Sequence, residues 1–103
     1  MISRQLVDNA DTVAKFLSAI GNGKRLAIMC HLLYGELSVG EIAERVELSQ
    51  SALSQHLAKL RNMGLVETRR ERQMIYYSCS SPHVRRLLVT LDDIFCAPAQ
   101  ATT

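Results

Sequence analysis

The chain has no tryptophan, two phenylalanines and three tyrosines among its 103 residues. A module that docks a protein partner through large aromatic anchors is therefore a poor fit, because such anchors carry most of the energy of those interfaces. Cysteine is sparse as well. Cys30, Cys79 and Cys96 are odd in number and show no C-x-x-C spacing, which argues against a structural disulfide framework. No apolar run approaches the ~18 residues of a transmembrane span, and the N-terminal MISRQLVDNAD lacks the apolar stretch of a signal peptide. A cytoplasmic protein without a membrane partner is expected, and in that compartment a disulfide would be transient and redox-sensing. There is no glycine-rich phosphate loop, and His31, His56 and His83 pair with no nucleophile at a recognisable spacing. Neither an enzyme nor a cofactor is expected. Excess charge is missing too: twelve Lys and Arg against ten Asp and Glu leave +2. A nucleic-acid partner must be argued from where the charges lie.

What is present is helical periodicity. The chain is the size of one domain, 48% hydrophobic, with enough apolar content for a small core. Residues 1–103 read as a single unit, with 1–4 and the tail 97–103 frayed. Leu6, Ala10, Val13, Leu17 and Ile20 predict a first helix over about 5–20. After the break GNGK, a second helix over about 23–34 carries RLAIMCHLL, apolar nearly all round and so central. Ser38 and Glu41 fit a capping box that starts a third helix ending at Val46. Glu47-Leu48 is a turn, and Ser49 caps a fourth helix that runs to about Met63 and stops at Gly64. Residues 65–69 and 74–78 predict a β-hairpin around the charged tip RRERQ. Ser81-Pro82 then opens a last helix, with Val84, Leu87, Leu88, Leu91, Ile94 and Phe95 as its stripe.

The fourth helix, LSQSALSQHLAKL, has an unusual outer face. With Leu53, Leu57 and Leu60 inward, Ser51, Ser54, Gln55, Ala58 and Asn62 gather on the other side. A solvated helix would favour Glu and Lys there. A slim, uncharged face suits a DNA major groove instead, where amides and hydroxyls donate and accept at base edges. Gln50, Ser51, Ser54 and Gln55 are expected to face bases. Ser49, His56, Lys59, Arg61, Arg69, Arg70 and Arg72 flank them and are expected at phosphates, which supply affinity. His56 lies between the two faces and could equally pack structurally, and Glu71 weakens the phosphate reading of the hairpin tip. The plain alternative is that Ser and Gln merely solvate a surface helix.

Four helices, a hairpin and a closing helix match a winged helix-turn-helix, mainly α with a small β-hairpin, in the order α-α-α-α-β-β-α. SVGEIAERVELSQSALSQHLAKLRNMGLVETRRERQMIYYS is similar to the DNA-binding core of the ArsR/SmtB family of bacterial repressors, and the similarity spans roughly residues 10–96. The S-x-x-S-x-H-L run, the following G-L-V and the basic hairpin ending in Tyr-Tyr carry the resemblance. It implies a homodimer formed through the first and last helices and bound to double-stranded operator DNA at an inverted repeat.

The resemblance also implies an inducer. A thiolate metal site of the family would fall in ELSVGEI, but Ser38 and Gly40 stand where its cysteines would be, and neither is a soft ligand. A second family site uses His and carboxylates of the last helix. Here His83 and Asp92 are about 13 Å apart along that helix, and the family's second histidine is absent. No metal is expected, though a metal-responsive repressor stays open as an alternative. Cys30 and Cys96 instead resemble the pair of the family's dithiol branch, the BigR/SqrR-like sulfide-responsive repressors, with HlyU-like regulators nearby. That likeness implies that reactive sulfur species or an oxidant bridge the two and release DNA. Cys30 as a small core hydrophobe and Cys96 as an incidental residue, with no thiol switch, is the other possibility. Cys79 reads as a bystander. Binding to RNA or to a protein also stays open, since a fold does not fix a function.

Overall fold

The computed structural model describes residues 1–96. The chain forms α1 (Arg4–Asp8), α2 (Ala10–Ile20), α3 (Gly23–Leu32), β1 (Leu37–Ser38), α4 (Val39–Val46), α5 (Gln50–Asn62), β2 (Val66–Glu71), β3 (Met74–Cys79) and α6 (Pro82–Phe95). This is the winged helix-turn-helix order, with two departures from expectation. The first helix is broken at Asn9, whose backbone (φ −101°, ψ 16°) leaves the helical basin while still donating to Gln5 and Leu6 carbonyls. Asn tolerates such a bridge conformation. The hairpin also gains a third strand. Leu37 and Ser38 pair antiparallel with Tyr77 and Tyr76, giving the sheet order β1-β3-β2. Arg4 opens α1, with the Ser3 hydroxyl accepting from Leu6 N–H at 3.2 Å. The expected fraying of 97–103 lies outside the described residues. Among the described residues no helix is long and apolar enough to cross a membrane.

The second helix ends two residues short of expectation. Its last turn tightens as Tyr34 and Gly35 donate to the carbonyls of His31 and Leu32, three residues back, and Gly35 at φ +143° redirects the chain into β1. Helix α3 is central: Ile28, Met29 and Leu32 are buried, and it packs on α2, α4, α5 and β3. Ile42, Leu53, Leu57, Leu60 and Val84 close around it. The stripe expected for the first helix is only partly used. Ala19 and Ile20 are buried and Phe16 packs on the core, but Leu6, Val7 and Leu17 remain exposed. On α6, Val84 and Leu88 are buried, whereas Ile94 and Phe95 are exposed at 59% and 76%. Each terminal helix thus retains apolar surface that the single chain leaves uncovered.

Candidate nucleic-acid interface

The helix-turn-helix is built by local chemistry that the sequence displays. Ser38 N–H donates to Glu41 Oε1 at 2.8 Å, and Glu41 N–H donates to Ser38 Oγ at 3.2 Å, so the capping box sets where α4 starts. Its far end is closed by Lys24 of α3, whose Nζ donates to the Val46 carbonyl at 2.6 Å. A cation at the helix C-terminus also suits the dipole there. Glu47 takes the left-handed conformation (φ 59°, ψ 50°) and turns the chain. Ser49 then caps α5, its Oγ accepting from Ala52 N–H at 3.2 Å.

Helix α5 buries Leu53, Leu57 and Leu60 and exposes Ser51, Ser54, Gln55, Lys59 and Arg61. Among the described residues the Ser51 and Ser54 hydroxyls make only long local contacts: Ser49 Oγ to Ser51 Oγ at 3.4 Å, and Ser54 Oγ to the Ser51 carbonyl at 3.4 Å. Gln50 is placed differently. Its Nε2 lies 3.9 Å from where a Cβ on Gly40 would stand, so its amide reaches back toward the start of α4. His56 is half-buried, and its Nδ1 lies 3.5 Å from Arg25 Nη1. Arg25 also donates to the carbonyls of Ser18 and Ala19. The packing role for His56 thus has a definite partner: this side chain meets the knot that joins α2, α3 and α5.

The wing separates its arginines. Arg70 and Arg72 are exposed. Arg72 is the first residue of the two-residue loop between Glu71 and Met74, at φ 60°. A positive φ at that loop position normally favours glycine. A cation held there at a steric cost points to use of its charge. Arg69 departs from the expected phosphate role. Its Nε lies 3.0 Å from both Glu36 oxygens, its Nη1 donates to Glu71 at 2.6 Å, and its guanidinium sits 4.7 Å from the centre of the Tyr76 ring. Hydrogen bonding to Glu36 and then Glu71 holds Arg69 firmly protonated, and the same contact depresses the Glu36 carboxyl below its ordinary value. The sequence signal lay in Glu36, 33 positions away, and becomes visible only once β1 joins the sheet.

The cysteines sit apart from this surface. Cys30 and Cys96 are free and exposed, and Cys30 lies on the rim of α3, beside the central stripe rather than in it, so it is not a core hydrophobe. Cys30 lines a hollow of about 350 Å³ with Leu33, Tyr34, Arg85, Val89 and Asp92. Cys96 ends α6 and donates its N–H to the Asp92 carbonyl at 2.8 Å. Asp92 acts on both thiols. Burial pushes Cys30 above its ordinary value and the Asp92 charge adds to the rise. Local desolvation raises Cys96, followed by hydrogen bonding to Asp92 and by its charge. Cys79 instead points its thiol at the Ser81 carbonyl, 3.6 Å away. With Leu88 at zero and 100° per residue, Arg85, Asp92, Cys96 and Val89 fall between about +40° and +100° around α6, and Leu87, Leu91 and Ile94 between about −60° and −120°. His83 falls opposite Asp92 on the same wheel.

Residues 22–68 match the arsR family of bacterial regulatory proteins. The transcriptional activator HlyU of Vibrio cholerae is 46% identical over 97 residues, spanning 94% of this chain and 90% of HlyU. The nodulation protein NolR of Rhizobium meliloti is 53% identical over 88 residues, spanning 85% of this chain and 72% of NolR. The crystal structure of the transcriptional repressor BigR from Xylella fastidiosa superposes with a TM-score of 0.88 at 37% identity, covering 94% of this chain and 99% of BigR. With its helix-turn-helix and basic wing, the chain belongs to the arsR family and is a DNA-binding transcriptional regulator.

Proposed function

We propose that the protein is a homodimeric repressor that binds an inverted-repeat operator and releases it when Cys30 and Cys96 are bridged by reactive sulfur species. Exposed apolar side chains on the first two helices and on α6, Leu6, Leu17 and Ile94 among them, support a dimer through the chain's ends. Two copies also supply a specificity that one short half-site lacks. In this reading Ser51, Ser54 and Gln55 read base edges, with Gln50 at the margin, while Ser49, Lys59, Arg61, Arg70 and Arg72 hold phosphates. His56 and Arg69 position those elements. Repression follows the relative BigR, which is a repressor, rather than HlyU, which is an activator.

The observation that carries the switch is placement: Asp92 of α6 lines the same hollow as Cys30 of α3, and its carbonyl accepts from the Cys96 N–H at 2.8 Å. A direct disulfide needs Cα atoms roughly 4.4–6.8 Å apart with matched Cβ vectors. Inserted sulfur relaxes that demand. Two thiols and two persulfides R–S–SH give a trisulfide, two R–SH and one H₂S; each further inserted sulfur consumes one more persulfide and releases one more R–SH. A bridge fixes α6 against α3, and α3 packs on both α4 and α5. A small rotation then mismatches the two recognition helices to half-sites one turn apart. Intact-mass spectrometry beside operator titrations tests this. Persulfide donors should add sulfur within one chain and weaken binding. Cys30→Ser and Cys96→Ser should bind DNA but ignore the donor, and Cys79→Ser should respond normally. Inducible single variants of both Cys30 and Cys96 would end the dithiol reading.

A further inference from the structure

The hollow between α3 and α6 has features that a bare pair of thiols would not need. It holds about 350 Å³, at the lower end of small-molecule sites, and its walls are Leu33, Tyr34 and Val89 beside the Cys30 thiol. Its charges are sorted. Arg85 is the lining cation and Asp92 the lining anion, and they stand two helical turns apart on one flank of α6. Arg85 is steered over the hollow by Nη1 donating to the Leu33 carbonyl at 3.4 Å. Leu33, the cap of α3, lies three residues beyond Cys30, about 4.5 Å along the helix axis. That is close to the span from the carboxylate to the terminal sulfur of an amino-acid persulfide. The flank also turns away from exposed Ile94, the α6 residue given to the dimer, so pairing of two chains through that side leaves the hollow open.

We propose that this hollow docks low-molecular-weight persulfides that carry a carboxylate, with Arg85 taking the carboxylate and Cys30 receiving the terminal sulfur. The proposal rests on the dithiol reading and names its substrate class. In the reaction, Cys30 Sγ attacks the terminal sulfur of R–S–SH. The new Sγ–S bond forms as the donor's S–S bond breaks, and the electron pair leaves on the inner sulfur. The Cys30 proton passes through the Asp92 carboxylate to the departing thiolate. Cys30–SH and R–S–SH become Cys30–S–SH and R–SH, with no external oxidant. Asp92 also disfavours a carboxylate at its own end of the hollow, so the donor enters in one orientation.

The test compares three donors on the reduced full-length protein by quenched-flow mass spectrometry: cysteine persulfide, its methyl ester, and inorganic disulfide. Loss of one charge-assisted contact at an open site is expected to slow sulfur transfer to Cys30 about tenfold. Arg85→Gln should therefore slow transfer from cysteine persulfide by that factor and leave transfer from inorganic disulfide unchanged. Arg85→Lys should recover part of the rate. Wild-type protein should show the same tenfold handicap with the methyl ester, a comparison that needs no variant to fold. Arg86→Gln removes the same charge outside the hollow and should match wild type. Equal rates for acid and ester, or equal slowing of all donors by Arg85→Gln, would overturn carboxylate docking while leaving the dithiol switch standing. No sulfur uptake by wild type from any donor would overturn both.

Discussion

Arg69→Gln and Arg70→Gln each remove one positive charge from the same strand of the wing, yet they should weaken DNA binding in different ways. Arg70 is exposed and free to neutralise a phosphate. Each such contact contributes about 0.9 to the slope of log K against log salt, and a homodimer makes it twice, so Arg70→Gln should flatten the slope by about 1.8. Over a threefold rise in salt that is roughly a sevenfold difference in the loss of affinity. Arg69 is already committed to Glu36 and Glu71. Its removal should loosen the wing against β1 and lower affinity at every salt concentration with a near-constant slope. Glu36→Gln sharpens the contrast. Charge alone says that deleting a carboxylate near DNA strengthens binding, whereas a brace says that it weakens binding. Fluorescence anisotropy on a duplex selected from a random pool, titrated at several salt concentrations, reads both quantities. The double exchange Glu36→Arg with Arg69→Glu preserves net charge and should restore part of the lost affinity. If Arg69→Gln flattened the slope as much as Arg70→Gln, or Glu36→Gln tightened binding, the bracing role would be wrong.

Arg72→Gly should move stability and function in opposite directions: relief of the positive φ stabilises the hairpin by about 1 kcal/mol, visible as a higher urea midpoint, while operator affinity and salt slope both fall. Gln55→Ala should cost about 1–3 kcal/mol of discrimination at its base pair with little change in slope; unchanged affinity and an unchanged ratio between matched and mismatched duplexes would remove Gln55 from the base-reading set. For Asp92→Asn, the sign follows from the carboxylate raising both thiols: its loss lowers both, though the desolvation that also raises them persists. The pH profile of thiol alkylation should therefore shift to lower pH in Asp92→Asn for Cys30 and Cys96 alike, and not for Cys79.

Much of the architecture follows from contacts within a few residues. Ser38 with Glu41, Ser49 with Ala52, and Ser81 with Val84 each satisfy helix-end donors three positions away, so the starts of α4, α5 and α6 are legible in order along the chain. The leucine spacing of α5 likewise states which face is buried, because one helix has one periodicity. The uncharged outer face of α5 was readable for the same reason. Strand β1 was not readable: two residues carry no periodicity, and Leu37 and Ser38 become a strand only because Tyr77 and Tyr76 offer them partners. Arg69 looked like its neighbours Arg70 and Arg72 until that pairing brought Glu36 beside it. The break at Asn9 is a small shift of backbone angles that no pattern of apolar residues announces. The two cysteines could be paired only by resemblance, since the placement of Cys30 beside Asp92 depends on how α6 lies against α3. Local hydrogen bonds and helical periodicity involve neighbours in sequence and can be read there. Glu36 lies 33 positions from Arg69 and Asp92 lies far along the chain from Cys30, and only the packing of one element on another brings those pairs together.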